Sequence, residues 1–347
     1  MLALTVLPGT PNSIALTTVP EPPESDGDVL VKALALGVCG TDREIIRGDY
    51  GTAPPGEERL ILGHESLGRV EEAPAGSRFK PGDLVAGIVR RPDPVPCPAC
   101  AAGVWDMCRN GQYTERGIKE RNGYGSEYFR VESDFLIKLD PSLGMLGVLM
   151  EPTSIVAKAW EHVRRIGERA PAWKPRVALI TGAGPVGLLA ALIGTQMGLE
   201  VHVLDRNDHG PKPKLVAALG ARFYTKLDDV PCPDVVIECT GAPALIVEVF
   251  GRTGPDGIVC LAGVSSGGRK FPLDIGNLNR SMVLENHVVF GSVNANRDHY
   301  DAAADALAKA DRDWLAGVIT RRVPLKDWRD AFTGREDDIK VIVDFTA

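Results

Sequence analysis

The nine residues Leu179-Ile180-Thr181-Gly182-Ala183-Gly184-Pro185-Val186-Gly187 decide how the chain is read. They end an apolar run of strand length, Val177 to Thr181, with the spacing G-x-G-x-x-G. A helix-length stretch, Leu188 to Met197, follows until Gly198 stops it. In that setting each glycine has a task. Gly182 permits the tight turn, Gly184 lets a pyrophosphate approach the backbone, and Gly187 lets helix and strand pack closely, while the helix N-terminus attracts phosphate charge. The next strand ends at Asp205, about 20 residues on, where a carboxylate can accept hydrogen bonds from an adenosine ribose. Its charge repels a 2′-phosphate and points to NAD, whereas the adjacent Arg206 offers such a phosphate a partner and keeps NADP open. The alternative, a glycine-rich turn that merely lets a helix cross a strand, gives no reason for turn, helix and terminal acid to coincide.

Outward from this loop the same grammar continues. Val201 to Asp205, Val235 to Cys239 and Ile258 to Ala262 read as short buried strands with helix-length stretches between several of them, which means a parallel, doubly wound sheet. Before about Pro175 the texture differs. Val29, Val31, Ala33 and Ala35 alternate along one run, and turns such as Pro81-Gly82-Asp83 punctuate others such as Leu84 to Val89, as in a β-rich domain. The tail holds a helical stretch, Ala302 to Lys309, and a strand-like run, Val341 to Phe345, that is expected to return to the first domain. The class is therefore α/β.

With 347 residues, two domains with separate cores are the natural expectation; 44% hydrophobic and 24% charged residues suit a soluble enzyme rather than a disordered chain. A formal net charge of −7 without a basic block argues against nucleic acid as a partner. No run approaches the roughly 18 apolar residues of a membrane span, and Met1 to Ala15 has no basic leader, so a cytoplasmic protein is expected. Seven cysteines, an odd number, fit reduced thiols or metal ligands better than disulfides.

Three separated segments each carry a good zinc ligand: Cys39 in Val38-Cys39-Gly40-Thr41-Asp42, His64 in Gly63-His64-Glu65, and Glu151 in Met150-Glu151-Pro152. A thiolate, an imidazole and a carboxylate can hold three corners of a tetrahedron and leave the fourth for water or substrate. Spacing alone equally allows a packed thiol and a structural histidine.

The runs Cys39-Gly40-Thr41-Asp42 and Gly63-His64-Glu65-Ser66-Leu67-Gly68, the turn Pro81-Gly82-Asp83-Leu84-Val85 and the glycine motif, in that order, resemble the zinc-containing medium-chain dehydrogenase/reductase superfamily over essentially the whole chain. The resemblance implies a GroES-like catalytic domain over residues 1–155, completed by 300–347, and a Rossmann domain over 156–299. It implies a catalytic zinc on Cys39, His64 and Glu151 with Glu65 beside it, and a proton path through Thr41. Glu151, where alcohol dehydrogenases carry a second cysteine, tilts the reading toward sugars or polyols. Met107 to Glu127 and Gly291-Ser292-Val293-Asn294 are similar to archaeal-type glucose 1-dehydrogenases. That match places Glu115 on sugar hydroxyls and Asn294 near substrate and nicotinamide. The expected cofactor contacts are Gly182, Gly184, Pro185, Val186, Gly187, Asp205, Arg206, Thr240 and Asn294. A homo-oligomer, tetramer or dimer, is implied.

Cys97, Cys100 and Cys108 match the last three positions of the family's C-x2-C-x2-C-x7-C structural zinc motif, but Pro94 stands where the first cysteine would be. Two readings follow: a second zinc on three thiolates with Asp93 as an oxygen ligand, or a lobe that packs without metal. His299, close after Asn294, is a further pocket candidate. The expected reaction is oxidation of an aldose at C1 to a lactone with NAD(P). Rival substrates are a polyol, threonine or a simple alcohol; the rival from another class is a non-catalytic nucleotide-binding redox sensor.

Overall fold

A computed structural model describes residues 1–265 and 272–347. The chain divides into two compact units, one of Met1–Ser154 with Asn294–Ala347 and one of Ile155–Val293.

The first unit is organised by one long strand, Val29–Val38. Its first half alternates as the sequence suggests: Val29, Val31 and Ala33 are buried while Lys32 is exposed. From Ala35 onward every residue is buried, because the strand now lies inside a mixed sheet. The sheet order is Leu136–Lys138, Leu84–Gly87, Glu65–Glu72, Val29–Val38, Lys340–Asp344, Ile319–Pro324, with Tyr128–Val131 paired to the first half of the long strand. Val31, Leu36, Val70, Val85, Phe129, Val341 and Val343 fill its core, each fully buried aliphatic side chain stabilising by roughly 1.5–3 kcal/mol.

Register then does functional work. Gly37 lies opposite Glu65 and Val38 opposite Val341, so residues 39, 65 and 340 meet at one end of the sheet. Gly37 is required there, since a Cβ on it would stand 1.9 Å from Glu65 Oε2. The C-terminal strand Lys340–Asp344 thus belongs to the same sheet as the N-terminal half.

Elsewhere in this unit two arginines hold one acid. Arg91 donates to Glu132 Oε2 through Nε and Nη2 (3.0 and 2.9 Å), and Arg121 Nη2 donates to Oε1 (2.5 Å). Burial works to raise the Glu132 carboxyl, but Arg91 and then Arg121 outweigh it and hold its pKa at about 2, against 4.5 unperturbed. The ionised carboxylate therefore stabilises the fold above pH 4.5, and that contribution is lost as pH falls through about 2. Glu132→Gln is expected to flatten the acid loss of stability across this window in thermal melts; parallel wild-type and variant curves would contradict it.

The second unit is a six-stranded, wholly parallel sheet in the order Arg222–Tyr224, Glu200–Leu204, Val177–Thr181, Val235–Glu238, Ile258–Leu261, Val288–Gly291. Strand order reverses between Val177–Thr181 and Val235–Glu238, the crevice where such sheets take their ligands. Four of the six strands stand in the sequence as apolar runs. Arg222–Tyr224 and Val288–Gly291 escaped it, the first because it has three residues and one is charged, the second because only three apolar residues precede a glycine. No helix among the described residues is long and apolar enough to cross a membrane.

Candidate active site

The long strand delivers Cys39 to its end, where the chain turns into the helix Gly40–Arg47. Cys39 is the N-cap: its N–H donates to Asp42 Oδ2 (2.8 Å), which anchors the turn in front of the thiol. His64 precedes the strand Glu65–Glu72, and Glu65 opens it. One ligand atom from each of Cys39, His64 and Glu65 lies within 4.8 Å of the others, in a largely buried setting. A thiol, an imidazole and a carboxylate converging without a disulfide or a complete set of hydrogen bonds suit a zinc ion. His64 Nδ1 and Asp42 Oδ1 are 3.4 Å apart, both buried and without a hydrogen bond, so the Asp42 carboxylate stands beside one ring nitrogen of His64. Burial disfavours the His64 cation, yet the Asp42 carboxylate and the Cys39 thiolate outweigh it and hold the pKa well above the usual histidine value.

Glu151 sits in the first turn of the helix Met150–Gly167, buried. It falls outside the tight trio but feels it. Burial, then Glu65 and Asp42, raise its carboxyl to about 7 against the opposing pull of His64 and Lys340. Thr41, half-buried, occupies the first turn after Cys39. Two contributors were not anticipated: Asp42, which accepts from Cys39 and lies 3.4 Å from His64 Nδ1, and Lys340, whose Nζ donates to both Glu65 oxygens (2.7 and 2.6 Å) and to the Val38 carbonyl (3.2 Å). Asp42 had a local signal, three residues beyond a cap. Lys340 had none, being 275 residues from its partner.

Glu115 lies on the strand Thr114–Arg116, opposite Arg90. Its Oε1 accepts from Arg90 Nε (3.1 Å), Arg90 Nη2 (2.9 Å) and Asn294 Nδ2 (2.7 Å). Asn294 Oδ1 in turn accepts from the Ala295 N–H (2.8 Å), so the Asn294 amide is committed within this unit. His299 Nδ1 accepts from Asn296 N–H (3.1 Å) in a capping box that starts the helix Arg297–Lys309. Its neighbour Tyr300 is buried close enough to Glu151 for that charge to help raise the phenol, after burial itself.

In the second unit the glycine motif has the geometry that its spacing requires. Gly182 has φ 87°; Gly184 caps the helix Pro185–Gln196 with open space around it; a Cβ on Gly187 would lie 1.7 Å from the Gly182 carbonyl oxygen. Pro185 and Val186 form the first turn of that helix. Asp205 Oδ2 accepts from Ala183 N–H (2.7 Å) and from Lys212 Nζ (3.1 Å), while Arg206 is exposed. Thr240 packs its methyl beside Gly182 and bonds its hydroxyl to buried Glu238. Lys212 also went unread, because nothing in the sequence ties it to Asp205.

Cys97, Cys100 and Cys108 also converge, their sulfurs within 4.8 Å of one another. The Arg109 N–H (3.4 Å) and other backbone donors hold the Cys97 thiol down to about 6, whereas burial pushes Cys100 up to about 11. Asp93 stands beside them in sequence, its Oδ2 buried without a partner.

The chain is similar to known proteins over its whole length. Residues 25–141 match the alcohol dehydrogenase GroES-like domain, and residues 144–345 match the glucose dehydrogenase C-terminus. The chain is 39% identical to a glucose 1-dehydrogenase of Methanocella arvoryzae over 360 residues, covering all of both chains. To that of Thermoproteus tenax it is also 39% identical, covering 99% of each. A solved glucose dehydrogenase of Haloferax mediterranei, in complex with NADP, Zn and gluconolactone, superposes with a TM-score of 0.91 at 33% identity over the full length of both. Galactitol-1-phosphate dehydrogenase of Escherichia coli, 21% identical with a TM-score of 0.80, shares the fold. The chain belongs to the medium-chain dehydrogenase/reductase superfamily and, within it, to the glucose 1-dehydrogenase family.

Proposed function

We propose that the chain oxidises an aldose at C1 to the lactone and passes the hydride to NAD(P), with zinc at the Cys39, His64 and Glu65 cluster and Glu151 beside it. The convergence of those three side chains carries the reading. A zinc ion held there supplies Lewis acidity that makes a hydroxyl brought to it easier to deprotonate. The rest belongs to the chain. Asp42 orients His64, Lys340 fixes Glu65, and the Thr41 hydroxyl takes the substrate proton onward. Glu151, a buried carboxyl beside the cluster, is a further oxygen ligand for the metal or for a substrate hydroxyl. Glu115 takes a sugar hydroxyl. The Gly182, Gly184 and Gly187 loop, with Pro185, Val186 and Thr240 around it, would hold the dinucleotide, whose nicotinamide would supply the hydride acceptor. Steady-state rates on an aldose and polyol panel with each nicotinamide test the reading; reduction of NAD(P) with ethanol, a polyol or threonine but no aldose would overturn it.

Asp205 favours NAD, but its charge is partly offset by Lys212, and Arg206 stands next to it, so NADP is accommodated too. Asp205→Ala removes the repulsion and leaves two cations, and is expected to shift the kcat/KM ratio toward NADP by about tenfold, roughly 1.4 kcal/mol. An unchanged ratio would remove the case for NAD. The three thiols of the lobe support a second zinc, with Asp93 the nearest oxygen ligand in sequence; two zinc ions per chain by metal analysis is the expected content, and one would assign the lobe to packing. We also infer a homo-oligomer. The strand Val288–Gly291 ends its sheet, and Ile275, Val283 and Leu284 on the preceding helix are mostly exposed. Sedimentation as a monomer would exclude it. Location in the cytoplasm remains the expectation of the composition.

A further inference from the structure

Arg90 has almost no freedom. Beyond its two bonds to Glu115 Oε1, its Nη1 donates to the Asp106 carbonyl (3.1 Å), and its guanidinium stacks 3.7 Å from the centre of the Tyr113 ring. It is buried, and among the described residues its charge is paired only with Glu115. Antiparallel register of Arg90 with Glu115 makes this pairing a property of the backbone rather than of two adaptable surface chains.

The two oxygens of Glu115 are unlike. Oε1 has three donors, a full complement. Oε2 accepts no hydrogen bond from any described residue, although it is not among the polar atoms sealed from solvent without a partner. A nearly buried carboxylate with one filled and one open oxygen lacks a donor from outside, and a hydroxyl of suitable direction supplies it. Tyr50 and Tyr113 line the same neighbourhood, for Glu115 and Tyr113 both bear on the Tyr50 phenol, whose pKa is raised, first by burial.

Building on the proposed sugar oxidation, we infer that Arg90 is a positioning residue for substrate specificity: with Asn294 it fills Glu115 Oε1, so that Oε2 alone selects one sugar hydroxyl by its direction. An unpinned carboxylate would rotate and accept from whichever neighbouring hydroxyl came within reach. The pinned one rejects the epimer whose hydroxyl points elsewhere, because the open acceptor is then left unpaired.

The test compares wild type, Arg90→Met and Arg90→Lys on an aldose and its monodeoxy analogues. In the wild type one deoxy position should lower kcat/KM by about tenfold to a hundredfold, the value of a hydrogen bond to a charged group. Arg90→Met should raise KM by about tenfold, lower kcat less, and flatten the ranking of deoxy analogues; Arg90→Lys should restore part of both. Should Arg90→Met fail to fold, Asn294→Gly, which suits the left-handed backbone at that position (φ 61°), removes one donor and should flatten the ranking in the same way. Folded variants with wild-type KM and an unchanged deoxy ranking would overturn the inference while leaving the sugar oxidation intact. A wild type inactive on every aldose overturns the sugar reading itself, and the inference with it.

Discussion

His64→Ala lowers turnover by about three orders of magnitude or more, roughly 4 kcal/mol of barrier, while dinucleotide affinity stays within about twofold. The first half of this expectation follows from the trio of Cys39, His64 and Glu65: among the described residues no other imidazole joins them, and Asp42 lies beside His64. The second half follows from where the residues reside. Cys39, His64 and Glu65 belong to the unit that contains both chain ends, whereas the glycine loop lies wholly in the unit of Ile155–Val293. Steady-state kinetics and fluorescence titration with NADH and NADPH check both halves. Turnover within tenfold of wild type would mean that the ligand role is wrong, and lost nucleotide affinity would mean that the two tasks are not separable.

Lys340→Met is the second large effect. The Lys340 ammonium and the Glu65 carboxylate are both nearly inaccessible, and each is the other's main compensation. Burial alone would lower the Lys340 pKa, but the Glu65 charge, followed by Cys39, raises it above the ordinary lysine value. Removing the cation leaves a carboxylate buried without its partner, a loss of about 3–5 kcal/mol of stability. Replacing both partners, as in Glu65→Gln with Lys340→Met, should cost markedly less than the single change, because no net charge is then stranded. Urea unfolding of the three proteins measures the difference. Equal midpoints for the single and double variants would show that the pair is not coupled in this way.

How much of this was legible in the sequence depended on range. The glycine loop and its strand and helix follow from residues within one turn of each other, and there Gly182 has a left-handed backbone while Gly187 leaves no room for a Cβ. The β-rich first unit was legible too, since Val29, Val31 and Ala33 alternate visibly with Lys32. What stayed hidden was pairing across distance. Lys340 reaches Glu65 only because two strands far apart in sequence both flank Val29–Val38, and no periodicity encodes that register. Arg90 and Lys212 were missed for the same reason, as a charged side chain reads as surface until a partner is placed beside it. His299 shows a local use that its nearness to Asn294 in sequence did not suggest: its Nδ1 takes part in the cap of the helix it starts.

The most direct test of the account is anomalous diffraction at the zinc edge from crystals of the zinc-loaded protein. A peak bounded by Cys39 Sγ, a ring nitrogen of His64 and a carboxylate oxygen of Glu65 or Glu151 is the predicted result. Full-occupancy protein without such a peak, or one whose only peak lies at Cys97, Cys100 and Cys108, would contradict it.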